Sequence, residues 1–241
     1  MKSRNVDALI LKSINFKDSD KIYTIITKEL GKISAKARGI RKIGSKRLSS
    51  LDTLNYVKIG IVGENDLKTV TEAKLFHSFS HIKKDLDKLN TAYYFIEIIN
   101  KSIQESEDVS AIFELLIKCL KRLDEIKYND SRIENYFELK LLEHLGYSVE
   151  LERCIECQEV INPSFRYSFN YEAGGLECGK CRETLTFLNP LTLNSILYLK
   201  GFYKGEDLDF SDLDQILKFY INDLIGGISK AKKYLDIRNS Q

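Results

Sequence analysis

Two periods of hydrophobic spacing divide the chain. Val6 to Ile14, Lys21 to Thr27, Lys32 to Ile40, Leu54 to Val62 and Leu67 to Leu75 are short runs rich in Val, Ile, Thr and Tyr. Clusters of Gly, Asn and Asp separate them, which predicts five strands. Asp18-Ser19-Asp20 marks the first connection, Gly31 a tight second one, and Gly63-Glu64-Asn65-Asp66 a turn before the fifth run. Five successive strands with no helical pattern between them imply a small antiparallel barrel. The five-stranded OB-fold is a frequent nucleic-acid-binding version of that architecture, and strand count alone also fits an SH3-like barrel.

From His81 the period lengthens. Leu86, Leu89, Tyr93, Ile96, Ile99 and Ile103 recur at spacings of three and four, as do Ile112, Leu116, Cys119, Leu120 and Leu123, and then Ile133, Phe137, Leu141 and Leu145. These are three amphipathic helices, the third closed by Gly146 as a C-cap. Asn189 or Thr192 starts another, running to Leu199. Ser211-Asp212-Leu213-Asp214 has the form of a capping box for a last helix through Ile228, which Gly226-Gly227 should weaken or bend. The expected organisation is a barrel domain over 1–80 and an all-helical domain over 81–241, with an insertion at about 150–185.

Charge sharpens that division. The net +2 of the 241 residues conceals sixteen Lys and Arg against eight acids over 1–80, and twenty-one against twenty-seven over the remainder. A basic first part faces a polyanion and an acidic second part serves protein partners. Within the third strand Lys32, Ser34, Lys36 and Arg38 alternate with Ile33, Ala35 and Ala37, so strand parity puts the charges on one face. Arg41, Lys42, Lys46 and Arg47 continue the series, and no Asp or Glu occurs between Leu30 and Leu51. Phosphates are the natural counterpart of seven such cations. Lysines guarding an exposed edge strand are the competing explanation, although three arginines in an acid-free run exceed what edge protection requires. With few aromatics interleaved between Gly31 and Arg47, the surface reads as a grip on backbone phosphate rather than a stacking platform.

Cys154 and Cys157 form one C-x2-C pair, and Cys178 and Cys181 a second, with twenty residues between. That is the spacing of a zinc site, and four thiolates leave no corner open for water, so one structural Zn2+ in a zinc ribbon is expected. Phe165, Tyr167, Phe169 and Tyr171 alternate with polar residues as a strand, and Gly174-Gly175 turns the chain back. Disulfides are disfavoured in the cytoplasmic setting expected of a chain without a signal peptide or an apolar membrane span. Cys119 lies on an apolar helical stripe as a core thiol. With three histidines, closed cysteines and no phosphate loop, neither a nucleophile with its base nor an open metal is present, which argues against an enzyme.

Several longer segments carry a resemblance. Lys17-Asp18-Ser19-Asp20-Lys21 and the run from Lys28 to Lys42 resemble the N-terminal barrel of the RecO family of bacterial DNA repair proteins. Phe137 to Tyr147 followed by Cys154-Ile155-Glu156-Cys157 resembles that family's helix leading into its zinc site. Phe169 to Cys178 is similar to its ribbon exit, and Ser229 to Leu235 to its C-terminal helix. The resemblance spans nearly the whole chain. It implies an OB-fold, a helical domain with the zinc ribbon, and a recombination mediator associated with the nucleoid. Such a mediator binds single- and double-stranded DNA, anneals complementary strands, engages the C-terminal tail of single-strand-binding protein, and with RecR helps load RecA. The family's DNA surface is the barrel, which holds Lys32, Lys36, Arg38, Arg41, Lys42, Lys46 and Arg47. An RNA-binding or transcription-associated zinc-ribbon protein shares the same barrel, ribbon and charge.

Overall fold

The computed structural model describes residues 3–42, 48–63, 67–104, 109–127, 131–147, 149–182, 187–201 and 204–227. Strands β1 (Arg4–Phe16), β2 (Asp20–Thr27), β3 (Gly31–Ala37), β4 (Tyr56–Val62) and β5 (Leu67–His77) close a barrel in the order β1-β2-β3-β5-β4. Its pairs are antiparallel except one. β5 enters beside β3 and runs parallel to it, Ser34 to Lys36 against Leu67 to Thr69. The all-antiparallel barrel expected from strand count is corrected there. The segment between β3 and β4 carries the chain across the barrel, so β5 fills the gap between those two strands in the Greek-key closure of an OB-fold.

Strand parity explains the interior. Val6, Ala8, Ile10, Tyr23, Ile25, Ile33, Ala35, Ala37, Val57, Ile59, Ile61 and Val70 form one buried cluster. A bulge inserts Leu11 between Ile10 and Lys12, and downstream of it Lys12 and Ile14 are exposed. Such an extra residue bends its strand and increases the local twist.

Helices α1 (Leu86–Ser102) and α2 (Ser110–Glu125) belong to the same compact unit as the barrel, which extends to residue 129. Asp85 caps α1 by accepting from the N–H groups of Asp87 and Lys88. Buried Asp124 of α2 accepts from Ile82 N at 2.8 Å, and Lys83 Nζ reaches Asn55 Oδ1 at 2.7 Å. Helix α2 also packs against β2.

The second compact unit, 130–227, contains α3 (Ser131–His144), α4 (Pro190–Leu199), α5 (Ser211–Leu224) and a small sheet of β6 (Glu150–Cys154), β7 (Tyr167–Asn170) and β8 (Gly175–Cys178) in the order β6-β8-β7. Gly146 ends α3 with φ +79°, and Tyr147 N–H reaches back to Leu142 O at 3.0 Å. Asn189 caps α4 through Leu191 N, ahead of Pro190. The capping box anticipated at α5 is absent. Phe210 occupies the N-cap, Asp209 Oδ1 accepts from Ser211 N at 2.9 Å, and Asp212 turns instead to Asn189 N at 2.7 Å. Gly226 and Gly227 do not bend α5. They lie past its end at φ +66° and +139°, a conformation that terminates helices, and the basic residues Lys230, Lys232, Lys233 and Arg238 lie outside the described residues.

Gly175 is where β8 passes closest to β6. A Cβ there would stand 2.3 Å from Ile155 Cγ2 and 3.0 Å from Glu150 Cβ. Gly175→Ala should therefore spread the small sheet at a cost of about 1–3 kcal/mol. The expected signature is faster reaction of the four ribbon cysteines with a thiol reagent, while thermal unfolding of the barrel unit stays unchanged.

Candidate nucleic-acid interface and metal centre

The outer face of β1, β2 and β3 consists of cross-strand rows. Leu9 pairs with Ile26, and Ile26 with Lys32. Leu9 and Ile26 have no exposed surface and Lys32 only 9%. The Lys32 ammonium donates to Asn100 O, in the last turn of α1, at 2.7 Å. Lys32 is therefore withdrawn from the candidate interface. It obeys the alternation of β3, but helices cover that part of the outer face, and its charge satisfies a helix-terminal carbonyl.

The next row is open. Ile14 pairs with Ile22, and Ile22 with Lys36. Ile14 is 51% exposed, and Ile22 and Lys36 are half-buried. Beyond it the β1–β2 turn and the chain leaving β3 are bound together. Gly39 N donates to Asp20 Oδ1 at 2.8 Å, and Arg41 N to Ser19 O at 2.9 Å. Gly39 holds φ +61°, which lets the chain turn back toward that hairpin. The turn brings Arg38, Arg41 and Lys42, all exposed, to the end of the barrel that carries Lys17 and Lys36. Lys46 and Arg47 lie outside the described residues. Phe16 and Lys17, absent from the sequence-based set, join the group: the ammoniums of Lys17 and Lys36 lie 5.6 and 5.8 Å from the Phe16 ring centroid. Their position beside the Asp18–Asp20 turn was the available signal.

In the second unit Cys154, Cys157, Cys178 and Cys181 converge, every Sγ within 4.8 Å of the others. Cys157 and Cys178 are 3.8 Å apart through sulfur, and Cys178 and Cys181 3.5 Å. Sulfurs about 2.3 Å from one ion stand about 3.8 Å apart at the corners of a tetrahedron, whereas a disulfide requires about 2.05 Å. The four thiols are free and fit a single metal ion. The pairs arrive from two turns: Cys154 ends β6 and Cys178 ends β8. Cys178 N donates to Cys154 Sγ at 3.3 Å. Burial opposes the Cys154 thiolate, but the backbone N–H groups of Cys157, Cys178 and Glu156 outweigh it and bring that thiol down to about 7. Hydrogen bonding with Cys178 and Cys157 favours the protonated Cys181 thiol and pushes it up to about 12, a preference that a central cation would reverse.

The remaining candidate groups are structural. Burial raises the Cys119 thiol to about 12, which removes it as a nucleophile. His77 Nδ1 accepts from Phe79 N at 3.1 Å, and His81 lies 3.5 Å from Asp124. No helix among the described residues is long and apolar enough to cross a membrane.

Two family profiles match in tandem. Residues 1–79 match the one described as Recombination protein O N terminal, and residues 83–233 the one described as Recombination protein O C terminal. The profiles meet near residue 80, whereas the compact unit built on the barrel continues to 129. Curated relatives agree along the chain. A DNA repair protein RecO of Dehalococcoides mccartyi (strain ATCC BAA-2266 / KCTC 15142 / 195) is 31% identical over 89% of this chain and 81% of its own. One of Clostridium perfringens (strain 13 / Type A) is 31% identical over 80% and 78%. One of Thermoanaerobacter sp. (strain X514) is 28% identical over 98% of each.

The two lysines of β3 should behave oppositely. Lys32→Ala leaves the Asn100 carbonyl short of its buried donor and should lower stability by about 1–3 kcal/mol without changing the salt dependence of DNA binding. Lys36→Ala should leave stability nearly unchanged and make the slope of log affinity against log salt shallower by about 0.7 on single strands. Denaturant titration paired with binding across a salt series measures both.

Proposed function

The chain belongs to the recombination protein O family, and from that premise we propose that it is a DNA repair protein acting as a recombination mediator. It holds single- and double-stranded DNA on the open end of the barrel, anneals complementary strands, and with RecR helps load RecA onto DNA covered by single-strand-binding protein. The observation that carries this reading is the convergence of Lys36, Arg38, Arg41 and Lys42 beside the β1–β2 hairpin, in a run without an acidic residue from Leu30 to Leu51. Lys46 and Arg47 extend that run.

Annealing asks for no bond making. Two strands repel through their phosphates, and fixed cations that displace condensed counterions lower the cost of bringing them together. Contacts to phosphate position a strand without reading its sequence, so the base edges stay free to pair. The protein is therefore non-enzymatic. The acidic second unit is the side offered to protein partners, RecR and the C-terminal tail of single-strand-binding protein. Its four thiolates hold one Zn2+, whose contribution is structural: with every corner taken by sulfur it closes the ribbon and offers no site for water. The expected setting is the cytoplasm, in association with the nucleoid.

Replacing Arg38, Arg41 and Lys42 together by alanine tests the interface. Three lost phosphate contacts should make the single-strand salt slope shallower by about 2, equally for every sequence, with annealing slowed in parallel. An unchanged slope in a folded, metal-loaded variant would show that these residues do not face phosphate. Matched RNA and DNA oligomers in the same titration separate DNA repair from an RNA-binding role, for which RNA should bind the tighter.

Metal removal tests the ribbon. Metal analysis of freshly purified reduced protein should give one zinc per chain. A strong chelator should expose all four thiols and unfold the small sheet, because structural zinc supplies on the order of 10 kcal/mol to such modules. Binding of DNA by the barrel should largely survive.

A further inference from the structure

We infer that Phe16 is a stacking site for an unpaired base, so that the barrel grips single strands by one base face as well as by phosphate. The inference rests on the proposed DNA-binding role of the barrel and adds to it a residue and a mode of contact. Phe16 is the last residue of β1, half-buried, two positions beyond exposed Ile14 and paired with Asp20 across the hairpin. Lys17 follows it in the left-handed region, at φ +50°. The ammoniums of Lys17 and Lys36, 5.6 and 5.8 Å from the ring centroid, stand where phosphates flanking a stacked base would run. Arg41 is tied to the same hairpin through Ser19.

A ring packed for structure alone is normally covered by apolar neighbours. This one is partly open, borders an exposed isoleucine, and is approached by cations on flexible stems. A lysine over a partly open ring is held more weakly than a base stacked on it, so a base can displace the ammonium, which then moves to a neighbouring phosphate. Every base has a π-face, so the contact tolerates any sequence, and stacking leaves the pairing edge free for a complementary strand. A duplex has no unpaired base to offer. The contribution should therefore be confined to single strands.

Oligothymidylate and an abasic oligomer of equal length, which has the same phosphates and no bases, separate the two kinds of contact on the full-length, metal-loaded protein. Phe16→Ala should weaken oligothymidylate binding by about 5- to 150-fold and leave the abasic oligomer and duplex DNA within about twofold of the parent. Phe16→Leu, which keeps an apolar side chain without a π-face, should behave like Phe16→Ala. The chain contains no tryptophan, so Phe16→Trp installs a single reporter. Its emission should be quenched by oligothymidylate and unchanged by the abasic oligomer, which holds even if the smaller substitutions disturb folding. Equal losses on both oligomers, or a leucine variant that binds like the parent, would overturn stacking and leave the phosphate-binding role standing. Failure of the parent protein to bind any of the three probes would overturn that role and the inference together.

Discussion

Closure of the barrel is the constraint on which the candidate nucleic-acid surface depends. Once five strands share one interior, every second residue must be small or apolar, and Ile33, Ala35 and Ala37 of β3 fill that role. The residues between them are forced outward whatever their charge. Parity alone, however, does not decide what an outward residue meets. Lys32 and Lys36 point to the same side of the same strand, yet one lies in the row of Leu9 and Ile26 beneath the helices and the other in the open row of Ile14 and Ile22. The helical cover divides a single basic stripe into a structural cation and an available one.

The ribbon answers a different constraint. Its strands are short, and few of its large side chains are fully enclosed, Leu151, Tyr167 and Leu176 among them. Such a sheet has little hydrophobic burial to set against the entropy of ordering its loops. The four sulfurs converge so that one metal ion would supply the missing cross-link, and the Cys178 N–H directed at Cys154 fixes one sulfur from the opposite strand. Gly175 is part of the same solution, because β8 has to approach Ile155 and Glu150 more closely than a side chain permits.

How much of this was legible in the sequence follows from which interactions are local. The barrel strands β1–β5, helices α1–α5 and the cysteine quartet are signalled by periodicity and spacing. Gly146 and Asn189 mark the helix ends where expected, since capping is decided within a few residues. The failures are long-range. The parallel β3–β5 pair depends on where the fifth strand inserts, and the burial of Lys32 depends on α1, 68 residues away. At α5 the local signal misled: Phe210 rather than Ser211 takes the N-cap, Asp209 accepts from Ser211 N, and the Asp214 carboxylate pairs with Lys218. Phe16 lies outside the basic strand in sequence, and only the pairing of β1 with β2 and of β2 with β3 brings its ring beside Lys36.

A strand-annealing surface has to satisfy two demands that pull apart. Tight single-strand binding by many aromatic side chains would occupy bases and slow their release to a partner strand, while cations alone would hold duplex and single strand almost alike, since both present phosphate. On the proposed reading, one ring set among Lys17, Lys36, Arg38, Arg41 and Lys42 is a compromise between these limits. Phosphate contacts would supply most of the affinity and respond to salt, and a single stacked base would favour the unpaired strand without hiding its pairing edge. On this reading Gly39 matters as much as any cation. Its left-handed turn carries Arg41 and Lys42 back to the hairpin that holds Phe16, and so brings two parts of the sequence, each insufficient alone, to the same end of the barrel.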